Sequence, residues 1–170
     1  KMRPERKNRI KLLLFLDVGG SMDPYVEACE ELFSAVRTEF KDLEHFYFHN
    51  CLYETVWNNN PRSSEDIILT WDILRKYGSD YRVLFVGDAS MSPYEIAYPG
   101  GSIEHWNEES GSIWLERLIS HFDSVAWLNP ESKNIWNSSA SNKMIREIFE
   151  EKMFEMNLSG IEEAMKTLSR

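Results

Sequence analysis

The chain has 170 residues, a formal net charge of −9 at pH 7 and a sequence pI near 5.0, with 42% apolar and 28% charged residues. This composition is typical of a soluble globular protein. The acidic balance argues against a nucleic-acid or anionic-membrane partner, since both favour basic surfaces. No apolar run approaches the roughly 20 residues of a membrane-spanning helix, so we expect no membrane span.

The first nine residues are basic and polar, and the first of them is not methionine. We expect 1–9 to be a linker or the remnant of a longer chain, followed by a single domain over 10–170. Because no signal-peptide pattern is present, we expect a cytoplasmic location. Cys29 and Cys51 are predicted to be free thiols in that reducing compartment.

The first half of the domain begins with Ile10–Asp17, a near-continuous apolar run typical of a parallel strand covered on both faces. Pro24–Phe40 is predicted to be a helix, with Asp23 as its cap and Pro24 at its first position. The other elements predicted here are strands 45–50 and 52–57, which a short link joins as a hairpin, and a largely helical segment over 64–77.

The second half repeats the opening pattern, because Tyr81–Asp88 is again an apolar strand that ends in aspartate. The elements predicted after it are a short helix over 92–98, a helix over 107–122, a strand over 124–128, a helix over 139–150, an edge strand over 152–156 and a last helix opened by a capping box at 159–162. This alternation predicts an α/β fold with about six strands. The sheet should be mostly parallel, with one antiparallel edge strand and helices on both faces.

Two apolar strands end in aspartate, at Asp17 and Asp88. Ligands of open α/β sheets bind beyond the carboxyl ends of the strands, so neighbouring strands would bring both carboxylates into one crevice. Ser21, Ser90 and Thr70 can add hydroxyl groups to it. A site made only of oxygen atoms favours Mg²⁺, Mn²⁺ or Ca²⁺ over zinc or copper.

A plainer interpretation of the first turn stays open. Ser21 and Asp23 precede the predicted helix and are common helix-capping residues, so they could do no more than cap it.

Aromatic side chains offer a second functional indication. Tyr94, Tyr98 and Trp106 lie in the connection that follows Asp88, where exposed aromatic residues would suit a binding surface and buried ones would serve packing.

These residues resemble a known family. The segment Asp17-Val-Gly-Gly-Ser21, followed by Thr70 and by Gly87-Asp88, resembles the metal-ion-dependent adhesion site (MIDAS) of von Willebrand factor A (VWA) domains. Within this family, the sequence resembles the CoxE-like branch more closely. The resemblance is carried by the segment from Asp17, by Phe-Tyr-Phe-His-Asn at 46–50 and by Gly-Asp-Ala-Ser-Met-Ser-Pro-Tyr-Glu at 87–95. The resemblance covers nearly the whole chain in the same order.

The resemblance implies a Rossmann-like doubly wound sheet with strand order 3-2-1-4-5-6. It also implies that Ser21 and Thr70 ligate the metal directly and that the Asp17 and Asp88 carboxylates often act through water. Gly19 stands where the family has its first serine. A water molecule or Asp23 would then supply the missing oxygen.

The function implied is a metal-dependent protein-interaction module in which a partner's acidic residue completes the coordination of the ion. In the CoxE-like branch the implied partner is a MoxR-type AAA+ ATPase, with the pair acting in metalloenzyme maturation or protein remodelling.

Two alternatives remain open. One is a metal-assisted hydrolase such as a phosphatase, although glycine at position 19 leaves no acid/base group two residues after Asp17. The other is a VWA domain with a vestigial site.

Overall fold

The computed structural model describes residues 8–37 and 40–170. It contains one seven-stranded sheet in the order β4-β3-β2-β1-β5-β6-β7. The strands are β1 (Asn8–Asp17), β2 (Phe40–Phe48), β3 (Thr55–Trp57), β4 (Ile67–Leu69), β5 (Arg82–Val86), β6 (Ser124–Asn129) and β7 (Met153–Glu155). The helices are α1 (Val26–Val36), α2 (Thr70–Lys76), α3 (Pro93–Ala97), α4 (Gly111–His121), α5 (Lys133–Trp136), α6 (Ala140–Ile148) and α7 (Leu158–Ser169). None of the described helices is long and apolar enough to span a membrane.

The prediction of a mostly parallel α/β sheet is confirmed, but the sheet has seven strands rather than six. The additional strand is β4, which lies within the segment 64–77 that was predicted to be largely helical. There Ile67–Leu69 pairs antiparallel with β3 before the helix begins at Thr70. The predicted antiparallel strand is β3, and β4 lies outside it at the sheet edge.

The strand β1 lies at the centre of the sheet, parallel to β2 on one side and to β5 on the other. Its side chains alternate between two buried clusters. Leu13 and Phe15 face the cluster that includes residues of α2, α4 and α6. Leu12, Leu14 and Leu16 face the cluster that includes residues of α1 and α7. Helices therefore cover both faces, which explains why this strand is apolar at nearly every position.

The start of α1 differs from the prediction. The residue before the helix is Tyr25, and no side chain caps it, so neither Asp23 nor Pro24 has the predicted role. The buried side chain of Met22 anchors a tight 3₁₀ turn over Gly20–Met22. The backbone amide of Tyr25 donates to the Met22 carbonyl and extends this turn, so the α-helix begins only at Val26.

Other boundaries also differ from the predictions. Phe40, predicted to end the first helix, belongs to β2. The last helix begins at Leu158 and is capped by Asn157, whose side chain accepts a hydrogen bond from Gly160, so the cap is not Ser159. Asn8 already belongs to β1, while residues 1–7 of the predicted linker lie outside the described residues.

Candidate metal site

The carboxyl ends of β1 and β5 bring Asp17 and Asp88 to the same edge of the sheet. The two strands are neighbours, with Leu16 paired to Val86. Asp17 is the last residue of β1 and is 2% exposed, while Asp88 follows β5 and is 1% exposed. The sequence-based expectation that these two strands lie side by side is therefore confirmed.

The Asp17 carboxylate has one satisfied oxygen and one unsatisfied oxygen. Its Oδ1 atom accepts hydrogen bonds from the backbone amides of Gly19 at 2.8 Å and Asn50 at 3.0 Å. Its Oδ2 atom is buried and has no hydrogen-bond partner. Such an atom is costly in a folded protein unless a proton or a cation compensates it.

Gly87 lets this carboxylate lie close to β5. A Cβ atom on Gly87 would come within 2.9 Å of the Asp17 Cβ and 3.2 Å of its Oδ2. The indole of Trp127 closes the same space, and its Nε1 donates to the Gly87 carbonyl at 2.8 Å. Any larger residue at position 87 would push the Asp17 side chain away from this position.

The pKa of Asp17 is raised to about 7, mainly by burial. The backbone amides of Gly19 and Asn50 lower this pKa, while the nearby Asp88 and Glu95 carboxylates contribute to the rise. No ion pair among the described residues includes any of these three carboxylates. Buried negative charge without a paired cationic side chain favours protonation or the binding of a cation.

Asp88 is held by its backbone as well as by its side chain. Its Oδ1 atom accepts a hydrogen bond from the Ser90 amide at 3.0 Å. The side chains of Asn129 and Asn142 both donate to its carbonyl oxygen at 3.2 Å. The next residue, Ala89, is buried with a φ of 54°, an unusual backbone conformation for alanine. Hydrogen bonds from Ser90, Asn129 and Asn142 therefore hold the start of the connection between β5 and α3 in this conformation.

Sequence analysis missed two residues at this site, Asn50 and Glu95. The Nδ2 of Asn50 donates to both carboxylate oxygens of Glu95, at 3.1 and 3.2 Å. Glu95 is 2% exposed although it belongs to a capping box with Ser92 at the start of α3. The Ser-x-x-Glu spacing could have predicted the helix start, but nothing in it predicts that this glutamate is buried.

The two predicted hydroxyl ligands differ in their surroundings. Ser21 is exposed in the 3₁₀ turn that follows Asp17. Thr70 is fully buried, and its hydroxyl donates to the Tyr53 carbonyl at 2.5 Å. Tyr53 in turn donates from its own hydroxyl to the Glu95 carbonyl at 2.6 Å. Thr70 is thus connected through Tyr53 to the backbone of Glu95, and in the described part of the chain no hydrogen bond joins its hydroxyl to the Asp17, Asp88 or Glu95 carboxylate.

The two remaining predicted positions are Asp23 and Gly19. Asp23 is exposed and forms the end of the 3₁₀ turn, where its amide donates to the Gly20 carbonyl at 3.2 Å. Gly19 is buried, and the space that a side chain would need there is taken by the Asn50 amide. The structure therefore explains why glycine is required at the position where the resemblance expects serine.

Exposed apolar residues lie in the connection after Asp88. Tyr94, Tyr98 and Trp106 are 64%, 55% and 73% exposed, and Ile103 is 76% exposed. The rings of Tyr94 and Tyr98 contact each other, with centroids 5.2 Å apart. Because Tyr94 and Glu95 are adjacent in α3, this exposed surface begins next to the buried carboxylates.

A surface groove lies elsewhere, between α2 and α4, with a volume of about 680 Å³. Trp71, Ile113 and Arg117 are among its lining residues. None of the predicted metal ligands lines it, so we do not assign the site to this groove.

The donor set at the sheet edge consists of oxygen atoms. Within residues 8–37 and 40–170, no three His, Cys, Asp or Glu side chains are grouped closely enough to hold a metal ion. A cation bound beside Asp17 and Asp88 would therefore also need hydroxyl, amide or water oxygens, as Mg²⁺ and Ca²⁺ sites commonly have. The unsatisfied, buried Oδ2 of Asp17 fits such an ion.

Comparisons of the chain with protein-family models and with curated proteins gave no match.

Proposed function

We propose that the protein is a metal-dependent protein-interaction module that binds a divalent cation, Mg²⁺ or else Mn²⁺ or Ca²⁺, at Asp17, Ser21, Thr70 and Asp88. The observation that carries this proposal is the buried Oδ2 of Asp17, which has no partner. A second buried carboxylate, Asp88, lies at the end of the adjacent strand. A bound cation would supply the positive charge that these oxygen atoms require.

The charge of the protein makes such an interaction dependent on the ion. The chain carries a net charge of −9, and a partner's carboxylate approaching Asp17 and Asp88 would be repelled in the absence of a cation. With the cation bound, the same carboxylate would complete the coordination. The exposed side chains of Tyr94, Tyr98 and Trp106 would contribute apolar contact area around it.

The class of partner is proposed from the family resemblance. A CoxE-like module would bind a MoxR-type AAA+ ATPase and act with it in metalloenzyme maturation or protein remodelling, without catalysing a reaction itself. This part of the proposal rests on fold-level and motif-level analogy. The acidic contact residue would therefore belong to the ATPase or to its client protein.

The test is a binding titration of a MoxR-type ATPase against the protein in millimolar Mg²⁺ and in EDTA. We expect binding in Mg²⁺, loss of binding in EDTA, and loss of binding by Asp17→Ala in both buffers. Glu147→Ala, which removes an exposed carboxylate from α6, is the matched control and should bind as the wild type does. Equal binding in Mg²⁺ and EDTA would contradict the proposal.

A further inference from the structure

Gly19 and Asn50 compete for the same space beside Asp17. A Cβ atom on Gly19 would overlap the Oδ1 atom of Asn50 and would lie 3.2 Å from Oδ1 of Asp17. The amide oxygen of Asn50 therefore occupies the position where a side chain of residue 19 would begin. Both Gly19 and Asn50 are buried, with Asn50 8% exposed.

Three contacts hold Asn50 in this position. Its backbone amide donates to Oδ1 of Asp17 at 3.0 Å, and its side-chain Nδ2 donates to both oxygens of Glu95. Its φ of 62° lies in the left-handed region, which asparagine adopts more readily than most residues. A β-branched side chain would disfavour this backbone conformation, and a side chain without an amide would lose the bridge to Glu95.

The contact with Glu95 also determines which way the amide faces. A carboxylate accepts hydrogen bonds only, so the NH₂ group of Asn50 must face Glu95. The oxygen atom of the amide must then point away from Glu95, to the side where Gly19 and Asp17 lie. Glu95 is itself fixed, because its Oε2 accepts a hydrogen bond from the Ser92 amide at 3.2 Å.

Building on the cation site proposed above, we propose that Asn50 supplies through its Oδ1 atom the neutral oxygen ligand that Gly19 cannot supply, and that Glu95 is the positioning residue that orients this amide. Side-chain amide oxygens are established ligands of hard cations. In this arrangement the oxygen ligand comes from Asn50 in the loop after β2, instead of from residue 19 in the loop after β1.

The test compares metal affinities of purified variants, measured by isothermal titration calorimetry with Mg²⁺ and by electron paramagnetic resonance with Mn²⁺. Asn50→Gly removes the amide and tolerates the left-handed backbone, and we expect its affinity to fall about tenfold or more. Gly19→Ser in the Asn50→Gly background places a hydroxyl in the vacated space and should recover most of the affinity. Gly19→Ser alone should not raise affinity, because Asn50 blocks that space.

The positioning role of Glu95 needs its own comparison. Glu95→Ala leaves the amide free to rotate and should weaken metal binding by about tenfold, the usual scale for residues that orient a ligand. Glu95→Gln keeps an acceptor for Nδ2 and should stay within a few-fold of the wild type. Equal losses in the two variants would overturn the positioning role.

The outcomes separate this inference from the proposed function. If the wild type binds metal and Asn50→Gly binds it equally well, the role of Asn50 is wrong while the cation site stands. If the wild type binds neither ion, the cation site fails and the role of Asn50 fails with it. Circular dichroism and melting temperatures confirm that each variant is folded before its affinity is compared.

Discussion

The backbone amide of Asn50 donates a 3.0 Å hydrogen bond to Oδ1 of Asp17, across 33 residues of sequence. The parallel pairing of β1 with β2 makes this contact possible, because it places Asp17 opposite Phe48, just before the chain turns at Asn50. The bond uses one carboxylate oxygen and fixes the orientation of the other. Consequently, the unsatisfied Oδ2 has a defined position next to Gly87 and the end of β5.

We expect Asp17→Asn to stabilise the metal-free protein while it abolishes metal binding. Asparagine keeps an oxygen for the two backbone amides and replaces the unsatisfied, negatively charged Oδ2 with an NH₂ group. The gain comes from removing the unpaired negative charge of a buried carboxylate, and it should be about 1–3 kcal/mol because a buried charge costs more than a buried neutral amide. Urea unfolding at pH 8 in EDTA measures it. Glu147→Gln, an exposed charge removal, should change stability by less than about 0.5 kcal/mol, and a destabilised Asp17→Asn would contradict the expectation.

The stability of the metal-free protein should depend on pH through Asp17. The pKa of Asp17 is raised from 3.8 to about 7 in the folded protein, mainly by burial. A raised pKa means that the folded state holds the proton more tightly, so the stabilising contribution is complete below about pH 4 and is lost as the pH rises through about 7. The free energy of unfolding of the wild type, relative to Asp17→Asn, should therefore fall between pH 5 and pH 8. A flat difference across this range would exclude titration of Asp17.

Thr70 and Ser21 should respond differently to loss of their hydroxyl groups. Thr70→Val removes a buried donor to the Tyr53 carbonyl and should cost about 1–3 kcal/mol of stability without metal. Ser21→Ala removes an exposed hydroxyl and should leave that stability within about 0.5 kcal/mol. If both hydroxyls ligate the ion, both variants should show a smaller rise in melting temperature on addition of Mg²⁺. A full Mg²⁺ response in Ser21→Ala would remove Ser21 from the ligand set.

The aromatic stack across β1, β5 and β6 should dominate the stability of one core. Phe85 lies between Phe15 and Trp127, with ring centroids at 4.8 and 5.4 Å, and is fully buried. Phe85→Ala should cost about 3–5 kcal/mol because it removes a large buried side chain and leaves a cavity. Leu158→Ala, at a position that is 76% exposed, is the control and should cost far less. Urea midpoints of both variants give the comparison, and a cost below about 1 kcal/mol for Phe85→Ala would show that the core collapses around the cavity.

Local sequence patterns were sufficient for the framework of this fold. The apolar run before Asp17 fits a strand covered on both faces, and the structure places β1 at the centre of the sheet. The second apolar run before Asp88 led to the same conclusion for β5, its neighbour. The segment 67–69 could not be assigned in this way, because its short apolar run fits a helix as well as a strand and only pairing with β3 selects the strand.

The sequence by itself thus determined the alternation of strands and helices and the two aspartates at strand ends. Only the tertiary structure decided that Asn50 and Glu95 join them. Asn50 ends a predicted strand and Glu95 lies in a predicted helix, and each is buried because elements distant in sequence close over it. Periodicity and capping patterns report which residues lie near each other along the chain. They do not report where the turns after β2 and β5 converge, because that depends on strand register and on the packing of α3 against the sheet edge.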